Sequence, residues 1–405
     1  MSSALFRPLY PVIIFFTCLA AQPARTSEPA PDYAQERISG DWSGARSNLD
    51  ANGYTFEGVA AVDAWRQLAG GKAGRWRGLG NLDLQVAIDG DKAFGWKDTR
   101  LLVYGLGDAG GRPNELAGSL AGIDNIEVGT PAVSLYEAWI ERNFAANRVS
   151  VLAGLHNLNS EFYVTEASAL FLGPVFGIGT EMSATGRNGP SIFPSTSLAL
   201  RVRVEPWAGV SLQTAAYDGA PGDPSNPRGT HLKLGGGDGT LYVAEAGWET
   251  DDTHLGLGGW RYSAKFPDVR TGAPAGSRGV YFLAEHTVGV GAFGDISCFG
   301  RCGWTAAAAE DFRCSWSAGA VWSGLLRSRP QSSLGLAVAQ AVLSDRFLAA
   351  HGPLARSETQ VELTWEEPLG HGITLQPDLQ LIRNPGGVIG AKDAWAAGVR
   401  LKLEF

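Results

Sequence analysis

The chain has 405 residues, with 33 Lys and Arg against 41 Asp and Glu, for a net charge of −8. Its 54 glycines, about 13% of the chain, follow no collagen period, and 44% hydrophobic content excludes wholesale disorder. The acidic balance argues against a nucleic-acid partner, and no apolar run reaches the roughly 18 residues that a spanning helix needs. Two classes remain: a large soluble β-protein, or a β-barrel whose membrane signal is hidden in alternation.

Residues 1–24 read as a secretory signal. Arg7 is the basic start, Leu9 to Ala21 form the apolar stretch, and Ala20, Ala21 and Ala24 offer small residues for cleavage. A membrane anchor would need a longer run without Pro11, and Cys18 follows Phe16 and Thr17, a poor setting for lipidation. Residues 25–52 are expected to form a periplasmic segment with a short helix, flexible to about residue 39 where Pro29 and Pro31 fall.

From 53 to 405 the chain alternates. Leu82, Leu84, Val86 and Ile88 oppose Asn81, Asp83 and Gln85; Leu200, Val202 and Val204 oppose Arg201, Arg203 and Glu205. Val361, Leu363 and Trp365 oppose Glu362, Thr364 and Glu366, a turn falls at Pro368 to Gly372, and Ile373, Leu375, Leu379 and Leu381 oppose Thr374, Gln376, Asp378 and Gln380. The clearest case is the end of the chain: Trp395, Ala397, Val399, Leu401, Leu403 and Phe405 on one face, with Arg400, Lys402 and Glu404 on the other. Period two between an apolar and a wet environment is a strand.

A sandwich would bury the apolar face, whereas an outer-membrane barrel turns it to lipid and lines a lumen with the polar one. Export, the terminal aromatic, and Trp or Tyr near strand ends favour the barrel. Trp65, Trp139, Trp248, Trp260, Tyr262, Trp304 and Trp365 are expected in interfacial girdles. The mature length allows on the order of 16 strands, so the expected fold is all-β, a transmembrane antiparallel barrel of porin size. Phe405 is then the expected signal read by the barrel-assembly machinery.

Enzyme motifs are thin. Gly105-Leu106-Gly107-Asp108-Ala109-Gly110 matches a dinucleotide fingerprint, but Gly111 and Pro113 prevent a following helix, so a turn is expected. Gly235 to Gly239 lacks the Lys-Ser/Thr of a phosphate loop, the six histidines have no ligand spacing, and no Gly-x-Ser-x-Gly occurs. No cofactor or metal is implied. An outer-membrane hydrolase would need a paired Ser and His, and a secreted β-rich lectin would be soluble without detergent. In an oxidising compartment Cys298, Cys302 and Cys314 allow one bridge, with Cys302–Cys314 favoured because they fall on consecutive strands.

The chain resembles the carbohydrate-selective porin (OprB) family. The resemblance starts at Gly40-Asp41-Trp42-Ser43-Gly44-Ala45-Arg46 and resumes at Asp124 to Glu127 and at Leu135-Tyr136-Glu137-Ala138-Trp139. It runs from Ala153 through Ser160-Glu161-Phe162 to Phe176-Gly177-Ile178, then through Gly189 to Pro194 and Tyr217 to Pro224, and ends with Leu375 to Gln380 and Asn384-Pro385-Gly386-Gly387. Ser134 stands where the family usually has Arg. The resemblance implies a 16-stranded barrel passing glucose or other mono- and oligosaccharides passively, set among outer-membrane lipids and lipopolysaccharide; a homotrimer is a candidate assembly that the sequence itself does not decide. Lumen-facing candidates by alternation are Glu57, Asp83, Glu137, Glu141, Arg201, Arg203, Glu205 and Arg261, since charged groups grip sugar hydroxyls. Loops carrying Glu161, Phe171 and Phe176, or Asp218 to Pro224, are expected to fold inward. A general-diffusion porin is the alternative.

Overall fold

The computed structural model describes residues 32–405 except 235, 236 and 307. The expected signal sequence, Cys18 and the start of the Gly235 run lie outside the described residues. Sixteen long strands form one closed barrel. The first eight are β1 (Tyr54–Ala69), β2 (Trp76–Asp89), β3 (Thr99–Gly110), β4 (Val133–Phe144), β5 (Val149–His156), β6 (Ser197–Trp207), β7 (Val210–Asp218) and β8 (Thr240–Glu249). The rest are β9 (Thr253–Tyr262), β10 (Arg278–Gly289), β11 (Asp295–Thr305), β12 (Phe312–Ser323), β13 (Ser333–Leu343), β14 (Ser357–Gly370), β15 (Ile373–Arg383) and β16 (Ala394–Glu404). Each pairs antiparallel with the next, and β16 returns to β1, with Val59 opposite Glu404 and Val62 opposite Leu401.

The burial pattern decides between sandwich and barrel. Leu84, Leu200, Leu257, Val280 and Leu336 are more than half exposed, whereas Asp63, Glu141, Arg201, Glu362 and Gln380 are at most 1% exposed. A soluble protein does the reverse. Apolar outside and polar inside fits a wall with lipid on one side, where closure leaves no unpaired backbone edge. The stretch Gly105 to Gly110 is strand within β3, neither the expected turn nor a phosphate loop.

The two ends differ. Turns such as His371–Gly372 between β14 and β15 are short; the connections 111–132, 157–196 and 219–239 at the other end are long. Short turns mark the periplasmic side and long loops the extracellular side. On the short-turn side, α1 (Tyr33–Glu36) and α2 (Ala45–Ala51) lie across the β1–β16 seam. The Ile38 amide donates to the Glu404 carbonyl at 2.9 Å, Arg37 pairs with the Glu404 carboxylate at 3.2 Å, and Arg46 Nη2 donates to the Phe56 carbonyl at 2.5 Å. The Arg46 guanidinium lies 4.3 Å from the Tyr33 ring centroid and 5.2 Å from that of Trp42. The Phe405 amide donates to the Gly58 carbonyl at 2.8 Å.

The core of this barrel is made of its own loops. Residues 157–196 turn inward through three single-turn 3-10 segments and a short helix, Thr180–Ser183, seating Phe162, Tyr163 and Met182 on Tyr217, Trp260 and Tyr281 of the wall. Farther along, Leu170, Phe171 and Phe176 pack on Phe299, Val321 and Ala337. The loop 111–132, with a helical turn at Asn114–Ala117, buries Ile123 and Ile126 beside Trp65, Leu79 and Leu172.

Candidate functional site

An inward loop brings backbone amides against a polar wall, and each buried amide needs an acceptor. The wall supplies carboxylates. Glu137 on β4 accepts the Asn157 amide at 3.0 Å and Glu245 on β8 that of Tyr163 at 3.0 Å. Glu285 on β10 accepts Ala167 at 3.1 Å, and Glu362 on β14 accepts Leu172 at 2.5 Å and Gly173 at 2.9 Å. Glu358 holds the other loop by accepting the Leu120 amide at 2.9 Å and the Ser119 hydroxyl at 2.7 Å. The backbone comes close at Gly173, where an added Cβ would lie 2.7 Å from Glu362 Oε2.

Arginines take the loop carbonyls and acids. Arg301 on β11 donates to Gly177 at 2.8 Å and to Val175 at 3.3 Å, and also to Phe176. Arg400 on β16 grips Asp63 of β1 at 2.7 Å and Asn125 of the first loop at 2.8 Å. Trp65 Nε1 donates to Asp124 at 2.5 Å. On the Thr180–Ser183 helix, the Glu181 carboxyl is pushed up by burial, while hydrogen bonds from Ser315 and Tyr163 draw it down.

The densest constellation crosses β3 to β6, where register sets Arg100 opposite Glu141, Glu141 opposite Leu152, and Leu152 opposite Arg201. Arg201 donates to Glu161 of the inserted loop at 2.6 and 2.5 Å, to Glu141 at 2.8 Å, and also to Ser150. Glu141 also accepts from Arg100 at 2.5 Å, and the Arg100 side chain is 29% exposed. His156 beside it contacts the Tyr217 hydroxyl at 2.9 Å.

The sequence candidates therefore separate. Glu141 and Arg201 are brought together with Glu161; Glu137 holds the loop; Asp83 accepts from Tyr104 at 2.5 Å in the wall. Arg203 pairs with Glu205 at 3.1 Å, both partly exposed in the lower lumen, and Glu57 is half-buried on the inward face of β1. Arg261 does not line the lumen. On β9 the inward positions are Trp260 and Tyr262, at 3% each, so Arg261 projects outward and exposed. The reason is packing: both rings join the cluster around the inserted loop, which inverts the expected phase. Trp65, on the inward face, and Trp139, beside Glu137 and His156, are likewise not girdle residues; Trp248, Trp304 and Trp365 do face outward.

The cysteines are also corrected: Cys298, Cys302 and Cys314 are all unbridged. Cys302 stands opposite Trp316, and Cys314 opposite Trp304, so the favoured pair is diagonal. Diagonal positions are about 7–8 Å apart, at the limit of disulfide reach. The sequence does not single out Arg100, Arg301 or Arg400 as site residues. Alternation sets Arg400 on the polar face, but no local signal tells which polar positions meet a loop. Among the described residues no group of His, Cys, Asp and Glu could hold a metal ion.

Residues 75–405 match the profile of the carbohydrate-selective porin, OprB family. The chain belongs to the OprB family of carbohydrate-selective porins. This porin is 22% identical to Porin B of Pseudomonas aeruginosa over 429 residues, covering 90% of each chain. Its fold matches OprB of Pseudomonas putida in a high-pH structure with a TM-score of 0.82 at 21% identity, over 93% of this chain and 100% of the other. The outer membrane channel DcaP of Acinetobacter baumannii is more distant, at a TM-score of 0.57 and 11% identity, over 87% and 97%. The porin is an outer-membrane barrel, and its family and fold are those of a channel rather than an enzyme.

Proposed function

We propose that this porin conducts small neutral sugars such as glucose down their gradient, reading hydroxyls with Arg100, Arg203, Glu205 and Glu57. The observation that carries the reading is the division of labour among lumen charges. Asp83, Glu137, Glu141 and Arg201 are spent on wall and loop, whereas Arg100, Arg203 and Glu205 keep accessible surface beside them. Paired charges of both signs form strong hydrogen bonds with hydroxyls while giving the lumen little net field. Permeation requires weak binding: a millimolar affinity, about 4 kcal/mol, still permits rapid exit. Delivery by the barrel-assembly machinery through Phe405, and association of three barrels, belong to the same proposal.

The test is ion conductance through single barrels in a planar bilayer. Glucose or short maltooligosaccharides should reduce the current reversibly, because a sugar among these groups displaces water and ions. Arg203→Ala should weaken this block more than it alters open conductance. A plainly open pore whose current is indifferent to sugars would overturn carbohydrate selection in favour of general diffusion.

A further inference from the structure

We propose that the outward face of β8, β9 and β10, near the extracellular rim, binds the phosphorylated headgroup of lipid A through Arg261 and Arg278. The two arginines stand directly opposite each other in the β9–β10 ladder, and both are exposed. Like charges facing across a strand pair destabilise it unless an anion lies between them. No carboxylate plays that part: among the described residues, no ion pair uses Arg261, Arg278, or the exposed Lys265 and Arg270 of the loop joining the two strands. The carboxylate in that loop, Asp268, is engaged by Arg346 at 2.5 Å and by the Arg270 and Thr271 amides. The hairpin thus carries two facing arginines on its outward side and two more exposed cations in its loop, whose own carboxylate is occupied; Glu310, near Ser277, is buried.

The same face continues toward the membrane as a lipid surface. Tyr242 lies opposite Arg261 on β8 and is 52% exposed, an amphipathic ring at headgroup height. Leu257 on β9, 63% exposed, is four residues below Arg261, roughly 13 Å along the strand. It borders an outward concavity of about 430 Å³ lined by Val202, Val204, Leu212, Ala244 and Ala246, where small side chains leave a hollow among larger ones. A cationic pair above an apolar hollow complements an acylated, phosphorylated sugar of the outer leaflet. The proposal rests on the orientation of the barrel and not on which solute passes through it.

The purified barrel in detergent should be titrated with bisphosphorylated lipid A, its dephosphorylated form, phosphatidylglycerol and inorganic phosphate, and bound lipid counted by native mass spectrometry. Lipid A should bind the unaltered protein, and Arg261→Gln with Arg278→Gln should weaken it at least tenfold. The Arg261→Lys, Arg278→Lys form should keep most of the affinity, and dephosphorylated lipid A should bind the unaltered barrel as poorly as lipid A binds the Gln form. Heat-modifiable migration confirms that each variant is folded. Equal binding by the unaltered and Gln forms, or phosphatidylglycerol binding as tightly as lipid A, would overturn the proposal. So would a Gln form that changes oligomeric state while holding lipid A normally.

Discussion

Arg201 shows what a single side chain does in this lumen. It is 1% exposed and bonds to β4 through Glu141, to β5 through Ser150, and to the inserted loop through Glu161. Removing one member of a buried ion pair leaves an uncompensated charge, which costs about 3–5 kcal/mol. Arg201→Ala should therefore lower the unfolding midpoint and make single-channel current noisier as residues 157–161 come loose. Arg201→Lys should rescue little, since an ammonium cannot reproduce the forked contacts. Glu310, outside the strands, offers a pH test. Burial pushes its carboxyl up to about 7, helped by nearby Asp311, from an unfolded value near 4.5. The folded form thus binds its proton more tightly, so the stabilisation is full below about 4.5 and is lost as pH rises through about 7. Local amide exchange in the β11–β12 connection, corrected for intrinsic rate, should accelerate over that window, and Glu310→Gln should flatten the profile.

At the scale of elements, the inserted loop is held by amide-to-carboxylate bonds as well as by apolar contact. Glu362→Gln replaces one of the two accepting oxygens with an amide donor, so it weakens bonds each worth about 0.5–1.5 kcal/mol. Exchange at the Leu172 and Gly173 amides should rise severalfold, while the β14 and β15 ladder amides stay unchanged; a uniform rise along both strands would instead mean that Glu362 stabilises the wall. How legible this was in the sequence depends on range. The terminal strand could be read from Trp395 to Phe405 because each residue samples its environment locally. The phase of β9 could not. Trp260 and Tyr262 look like interfacial aromatics until the loop carrying Tyr163 and Met182 fills the lumen beside them. Glu137 and Arg203 have the same alternation signature, yet one meets a loop amide and the other keeps water, a distinction made by contacts across the barrel.

For the whole molecule, closure concentrates risk at one place. Phe405 bonds to Gly58 at the end of the closing pair of strands, so deletion of Phe405 should leave protein in the periplasm or degraded, as read by fractionation. With no bridge among the described residues, Cys298, Cys302 and Cys314 should each accept a thiol label in denaturant. The segment across the seam carries a further consequence. Arg46 reaches the Phe56 carbonyl only ten residues along the chain, whereas Ile38 and Arg37 reach Glu404 of the last strand, 367 residues from Arg37. Loop-closure entropy of that span cannot be recovered by a partial barrel. The contacts of Arg37 and Ile38 with Glu404 should therefore form only once β16 is in place, and their ordering reports that the last strand has joined the wall.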